Sequence, residues 1–198
     1  MKHTSVARMT RVGALGALAA ILYFIPGIPI IPPIYKLDFS TVPALIAALF
    51  FGPVDSIIVI LIKDLTGLIH SSSSGVGEIA DFICSAALCL PVCLMKKQTE
   101  KGWGRIIAVS VISTLIMTAV GCLVNYFIMI PFYVKVQGFP MDAIITMISK
   151  VVPAVKSLPT LIAFATAPFN LLKGAVVCLI AFPVYARLPK KFSDISKV

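Results

Sequence analysis

The stretch Thr41-Val-Pro-Ala-Leu-Ile-Ala-Ala-Leu-Phe-Phe-Gly-Pro-Val-Asp-Ser-Ile-Ile-Val-Ile-Leu-Ile-Lys-Asp-Leu-Thr-Gly-Leu-Ile69 decides how this chain is threaded. Taken as one apolar helix it crosses a membrane once; broken at Gly52-Pro53 it makes two antiparallel pieces. Glycine followed by proline favours the break, because the pair ends one helix and opens another. The basic residues favour it too. Lys2, Arg8 and Arg11 precede the first apolar run, Lys96, Lys97, Lys101 and Arg105 fill one connection, and Arg187, Lys190, Lys191 and Lys197 follow the last run. Such clusters mark the cytoplasmic side. A single helix over 41–69 gives five spans and puts the middle cluster opposite the basic N-terminus, whereas six spans put all three clusters on one side. The expected fold is therefore an all-α integral membrane protein, a six-transmembrane-helix bundle with a short second helix and with N- and C-termini cytoplasmic. The helices are expected near 9–26, 42–51, 54–69, 77–95, 105–131 and 157–187.

Composition carries the membrane assignment. Hydrophobic residues make up 59% of the 198 and charged residues only 13%, against about 25% charged in soluble domains. The runs 106–131 and 158–186 match the roughly 20 residues that cross a bilayer. Residues 1–198 read as a single membrane-embedded domain. The net charge of +9 does not point to nucleic acid, since most of the basic residues flank apolar runs and no soluble domain is present to hold a groove. The second helix, at 1.5 Å per residue, is only about 15 Å long. It must lie obliquely, be covered by protein, or draw on the preceding loop for depth. Basic residues ahead of Ala14–Ala20 also suit a signal peptide, but the further spans and the charge bias favour a retained first helix.

Several chemistries are absent from the sequence. Cys84, Cys89, Cys93, Cys122 and Cys178 contain no Cys-x-x-Cys pair, and with only His3 and His70 beside them no zinc set is visible. No cofactor is implied. The phosphate-cradling loop of ATPases is missing, so uphill movement of a solute needs an outside energy source. No catalytic constellation with hydrolase or transferase spacing appears, and the chain is not read as an enzyme.

Polar residues inside apolar runs are the candidate site. Asn170 and Lys173 are three apart in Ala167-Pro-Phe-Asn-Leu-Leu-Lys-Gly174 and share a helix face that needs a partner. Asn125 lies deep in Val120–Pro131, where an unpaired amide costs a few kcal/mol. Glu78 and Asp81 share the first-turn face of the fourth helix, where the helix dipole also accommodates them. Lys63 and Asp64 are adjacent and point about 100° apart, so no direct pair is expected. Lys63 is expected to extend to the outer interface, and Asp64 to cap, pair with another helix or touch solvent. The proline-rich loop 28–43 is expected to be ordered and non-helical, suited to a lid, with Lys36 and Asp38 facing water in the plainer reading. On the first helix Gly13 and Ala17, and Gly16 and Ala20, are four apart and leave a smooth stripe for close helix packing, internal or external.

Lys36-Leu-Asp-Phe-Ser40 with Pro43, Gly77-Glu-Ile-Ala-Asp-Phe82, Asn125-Tyr126 and Pro168-Phe-Asn-Leu-Leu-Lys-Gly174 together resemble the riboflavin-specific S-component of energy-coupling factor (ECF) vitamin transporters. The resemblance spans nearly the whole chain. It implies a substrate-capture subunit with its pocket near the outer face, working with a membrane coupling subunit and two ATPase subunits. It also implies Asn125, Asn170 and Lys173 on the flavin's polar atoms, Leu37 against the ligand, Glu78 beside it, and the stripe Gly13, Gly16, Ala17 and Ala20 as the docking face. At position 81 the resemblance implies asparagine where this chain has aspartate. The outer segment 133–157, helical over Met141 to Lys150, departs from it without a placed function, a reshaped lid being the use open to it, and the resemblance implies a prokaryotic plasma membrane. Riboflavin suits these side chains on chemical grounds, since asparagine offers donor and acceptor to the imide edge of a flat apolar ring and lysine donates to an oxygen. A phosphorylated flavin would call for several clustered cations. An S-component for another vitamin or for flavin mononucleotide is the alternative, with an ion-coupled carrier behind it.

Overall fold

A computed structural model describes residues 6–32, 35–71, 73–93 and 103–187. The break at Gly52-Pro53 is present. Gly52 adopts φ 109°, a backbone that a side chain opposes, and Pro53 opens the next helix, where its missing N–H leaves no bond unmade. The result is a short helix α2 (Val42–Phe50) followed by α3 (Pro53–Gly67), after α1 (Val6–Phe24). All nine residues of α2 are buried. It packs against α1, α3, α4 (Val76–Cys93) and α9 (Ala167–Arg187), so of the ways a half-length helix can be accommodated the molecule uses cover by protein.

Three helical segments among the described residues are long and apolar enough to cross a membrane, Val76–Cys93, Gly104–Lys135 and Leu158–Arg187. The second comprises most of α5 (Trp103–Val124), a π-helical turn (Asn125–Met129) and α6 (Ile130–Lys135). The third comprises α8 (Leu158–Leu161), a second π turn (Ile162–Thr166) and α9. The fifth helix thus runs past its expected end at 131. Pro131 offers no N–H to the ladder, and the wider turn ahead of it absorbs the fault that would otherwise stop the helix. The basic residues Lys2, Lys96, Lys97, Lys101, Lys190, Lys191 and Lys197 lie outside the described residues. Arg8 is described, on α1, and pairs with Asp55 in the first turn of α3.

The all-helical expectation needs one correction. The proline-rich loop holds a small antiparallel hairpin, β1 (Ile28–Ile31) with β2 (Tyr35–Leu37), Ile28 opposite Leu37 and the register slipping between Pro29 and Ile31. Prolines bar a helix but are tolerated at a strand edge. Leading into β1, an added Cβ on Gly27 would lie 2.9 Å from the Leu37 carbonyl oxygen, so glycine lets the two backbones approach.

Two large buried clusters, with a small third of Ala80, Val124 and Met129, divide the interior among the described residues. The larger joins α2 to α1, α3, α4, α5 and α9 through residues such as Leu45, Phe50, Ile60, Leu88 and Met117. The other joins the hairpin and α7 (Met141–Ser149) to the π turn and the start of α9 through Tyr35, Ile144, Ile148, Leu161 and Phe169. The site lies where these clusters meet.

Candidate functional site

Between the two clusters is a cavity of about 490 Å³, walled by α4, α5, α7 and α9 with contributions from Tyr23 and the hairpin. Its polar groups fall into two sets. One is an ion cluster. Lys173 Nζ on α9 donates to Asp38 Oδ2 at 2.9 Å and to Asp81 Oδ1 at 2.8 Å. Asp81, on α4, also pairs with Lys63 of α3, and Lys63 Nζ lies 2.8 Å from Asp64 Oδ1. Three carboxylates thus enclose two ammoniums in a continuous chain.

This overturns the expected independence of Lys63 and Asp64. Lys63 is completely buried and does not extend to an interface. Although adjacent Cβ atoms diverge, the lysine stem is long enough to turn back, and an ammonium denied water takes every carboxylate within reach. The ring of Tyr23 adds its face, 5.5 Å from Lys63 Nζ. Asp38, from the loop after β2, is likewise not a solvent-facing group. Burial opposes its ionisation, but Lys173 beside it prevails and holds its carboxyl below the usual carboxylate range. Ser40 supports it through both its backbone N–H and its hydroxyl.

The second set is uncharged. Asn125 Nδ2 donates to the Gly121 carbonyl at 2.8 Å and Asn170 Nδ2 to the Thr166 carbonyl at 2.9 Å. Each amide is fixed to its own helix one turn back and keeps an N–H and oxygen capacity in hand. Tyr35 shares a 2.6 Å hydrogen bond with Thr166 Oγ1 and donates over 3.4 Å to Asn125 Oδ1. Its ring lies 5.0 Å from that of Phe169, tilted by 38°. Both π turns border this set, one beginning at Asn125 and the other ending at Thr166. Glycine at 121 leaves room for the Asn170 amide, since an added Cβ would fall 2.8 Å from Asn170 Nδ2.

Of the residues expected to bind substrate, Asn125, Asn170, Lys173 and Glu78 all line the cavity. Glu78 is held within the wall: Ser71 and Ser73 donate to Oε2 at 2.8 and 3.2 Å, and Tyr23 to Oε1 at 3.4 Å. Leu37 is placed elsewhere. It is buried and borders a separate void of about 70 Å³ with Leu22 and Phe39, while its neighbours Lys36 and Asp38 reach the main cavity. Tyr23, Tyr35 and Phe169 also line the cavity, and no local sequence pattern marks them. The same holds for α7 and the turn before it, which supply Phe139, Ala143, Ile144 and Met147 to the wall. An amphipathic pattern beside the apolar spans marks a helix there and not a wall. The stripe on α1 divides. Gly16 packs against α3, where an added Cβ would lie 2.7 Å from Ile62 Cδ1, and Ala20 is buried; Gly13 and Ala17 are exposed, with no atom within 4 Å of a Cβ at Gly13.

A membrane-embedded helical bundle around a polar-walled cavity is the build of a solute-binding membrane subunit. Residues 7–185 match the family profile "ECF transporter, substrate-specific component", and the chain belongs to that family. It is 34% identical over 158 residues, 80% of this chain and 77% of the relative, to "Riboflavin transporter RibU" of Staphylococcus aureus (strain TCH60). It is 31% identical over 162 residues, 80% of this chain and 78% of the relative, to "Riboflavin transporter FmnP" of Bacillus subtilis (strain 168). A solved structure described as "Structure and mechanism of the S component of a bacterial ECF transporter" superposes with TM-score 0.69 at 31% identity, covering 91% of this chain and 94% of that one. The protein is accordingly a bacterial multi-pass membrane protein and a transporter subunit rather than an enzyme. Components of this kind work with ECF coupling and ATPase modules.

Proposed function

We propose that this subunit captures riboflavin from outside the cell and delivers it inward with a membrane coupling subunit and two ATPases. The observation that carries the reading is the pairing of Asn125 and Asn170, two amides fixed by their own helices and facing one cavity beside the Tyr35 and Phe169 rings. A flat tricyclic ring with an imide edge needs that combination of donor, acceptor and apolar face. Lys173 has spent two of its three N–H donors on Asp38 and Asp81, leaving one for a ligand oxygen. Relatives named as riboflavin transporters at about 30% identity support the choice among vitamins.

The chain crosses the membrane six times with both termini in the cytoplasm, α2 and α3 counting as two antiparallel crossings. The open pair Gly13 and Ala17 is the docking face for the coupling subunit, since small residues let a partner helix approach closely. Gly16 and Ala20 serve internal packing.

Titration of the purified protein in detergent with riboflavin, followed by quenching of flavin fluorescence, tests the reading. Stoichiometric quenching, weakened by more than about 1 kcal/mol in Asn170→Ala, is the expected result. A folded wild-type protein that quenches no riboflavin overturns it and directs the search to other vitamins.

A further inference from the structure

We infer that Asp64 holds a proton on Oδ2 at neutral pH, a resident proton that leaves the five-membered cluster of Asp38, Lys173, Asp81, Lys63 and Asp64 without net charge. The inference does not depend on which solute the cavity takes.

The balance of charge comes first. Three carboxyl groups, Asp38, Asp64 and Asp81, meet two ammoniums, Lys63 and Lys173, so with all five ionised one negative charge is in excess. Lys63, Asp64 and Lys173 are buried, and less than a fifth of the Asp38 and Asp81 side chains is exposed. An uncompensated charge in such surroundings is costly, and a buried group takes the protonation state that removes it. A proton leaving either lysine would enlarge the excess. A proton gained by one carboxyl cancels it.

Hydrogen bonding selects the carboxyl. Asp81 accepts from Lys173 on Oδ1 and from Lys63 on Oδ2. Asp38 accepts from the Ser40 N–H and hydroxyl on Oδ1 and from Lys173 on Oδ2. Each of these four oxygens faces a donor, and a proton placed on any of them would set donor against donor. Asp64 has Lys63 beside Oδ1, while its Oδ2 is enclosed and has no donor among the described residues. As a carboxylate oxygen that atom is left unsatisfied. As an O–H it becomes a donor, and a short side chain on a helix can reach a carbonyl of its own helix about one turn back.

The remaining groups nearby do not supply the missing positive charge. Glu78 of α4 is a further acid, met by the hydroxyls of Ser71, Ser73 and Tyr23. Tyr23 of α1 turns its ring to Lys63, and Lys173 of α9 is shared between Asp38 and Asp81. Asp64 is not among the residues that line the cavity. The proton therefore sits behind the wall and belongs to the fold, not to the cargo.

Infrared spectroscopy of the full chain in lipid bilayers at neutral pH, wild type against Asp64→Asn, tests this. The difference spectrum is expected to show the carbonyl stretch of one un-ionised carboxyl that the variant lacks; carboxylate bands in its place overturn the inference. Thermal unfolding in detergent gives a second reading. Asparagine has the shape and neutrality of protonated aspartate, so Asp64→Asn should melt within about 3 °C of the wild type, whereas Asp81→Asn, which removes an acceptor from both lysines, should melt about 6 °C lower or more. A drop as large in Asp64→Asn marks Asp64 as an ionised partner of Lys63 and overturns the inference. Should too little Asp64→Asn accumulate for spectroscopy, Asp64→Glu keeps the carboxyl on a longer stem and is expected to move the un-ionised band; an unmoved band places the proton elsewhere and overturns the inference. The rival occupant is a small metal ion. A wild-type melt raised by sodium over choline, an increase lost in Asp64→Asn, together with carboxylate bands from Asp64, assigns the oxygen to a cation and overturns the proton.

Discussion

Around the cavity Asp38, Lys173, Asp81, Lys63 and Asp64 are held by opposite charge, whereas Tyr35, Thr166, Asn125 and Asn170 are held by neutral hydrogen bonds. The two walls do different work. In the charged wall Asp38, Lys173, Asp81 and Lys63 each pair with an ion from another element, linking the loop after β2, α9, α4 and α3, while Asp64 pairs with Lys63 of its own helix, so the wall ties the parts of the molecule together. In the amide wall Asn125 and Asn170 each lean on their own helix, so either is placed almost independently of the rest and retains capacity for a ligand. Damage to the first should appear as lost stability, and damage to the second as lost affinity.

The largest effect is expected from Lys63→Met. It leaves Asp64 and Asp81 sharing a buried site with one ammonium fewer, and removing one member of a buried ion pair costs about 3–5 kcal/mol. Thermal unfolding in detergent should show it, and a melting temperature equal to wild type would break the contrast between the walls. Gly121→Ala comes next and should separate affinity from stability. The new methyl group would crowd the Asn170 amide, an overpacking worth about 1–3 kcal/mol, while alanine returns about 1 kcal/mol of helix propensity. Riboflavin affinity should fall with little change in melting temperature; unaltered affinity would detach Asn170 from the ligand. Tyr35→Phe should cost about 0.5–1.5 kcal/mol of binding or stability through the lost bond to Thr166, measurable by the same titration and melt. The smallest effect is expected from Arg8→Ala, outside both walls. Arg8 is partly exposed although Asp55 is buried, and Asp55 keeps the favourable N-terminus of α3, so a loss of about 1 kcal/mol is expected in the melt.

The sequence was most legible where a local rule acted. Gly52-Pro53 sets the boundary of α2 and α3 by backbone chemistry alone, and Asn125, Asn170 and Lys173 stand out because polar groups in apolar runs require an explanation. The ion cluster was not legible. Asp38 and Lys173 are 135 residues apart, and no periodicity shows that a carboxylate from a proline-rich loop will meet an ammonium from the last helix. Lys63 and Asp64 misled for the opposite reason, since the divergence of neighbouring Cβ atoms says little about where a flexible four-carbon stem ends. The hairpin and α7 were seen as segments without being seen as walls. Their place depends on Ile144, Ile148 and Tyr35 meeting Leu161 and Phe169, contacts that form only in the assembled bundle.

The burial of all nine residues of α2 has a consequence for how the protein is made. A helix of that length is too short to be handed to the lipid alone, and its exposed ends would leave backbone groups unpaired there. Its entry into the bilayer must therefore be tied to that of α3 through the tight turn at Gly52, and it finds its final surroundings only when α4 and α9 have been synthesised. Biogenesis of this chain is thus a sequence of events in which an early segment waits for the last one.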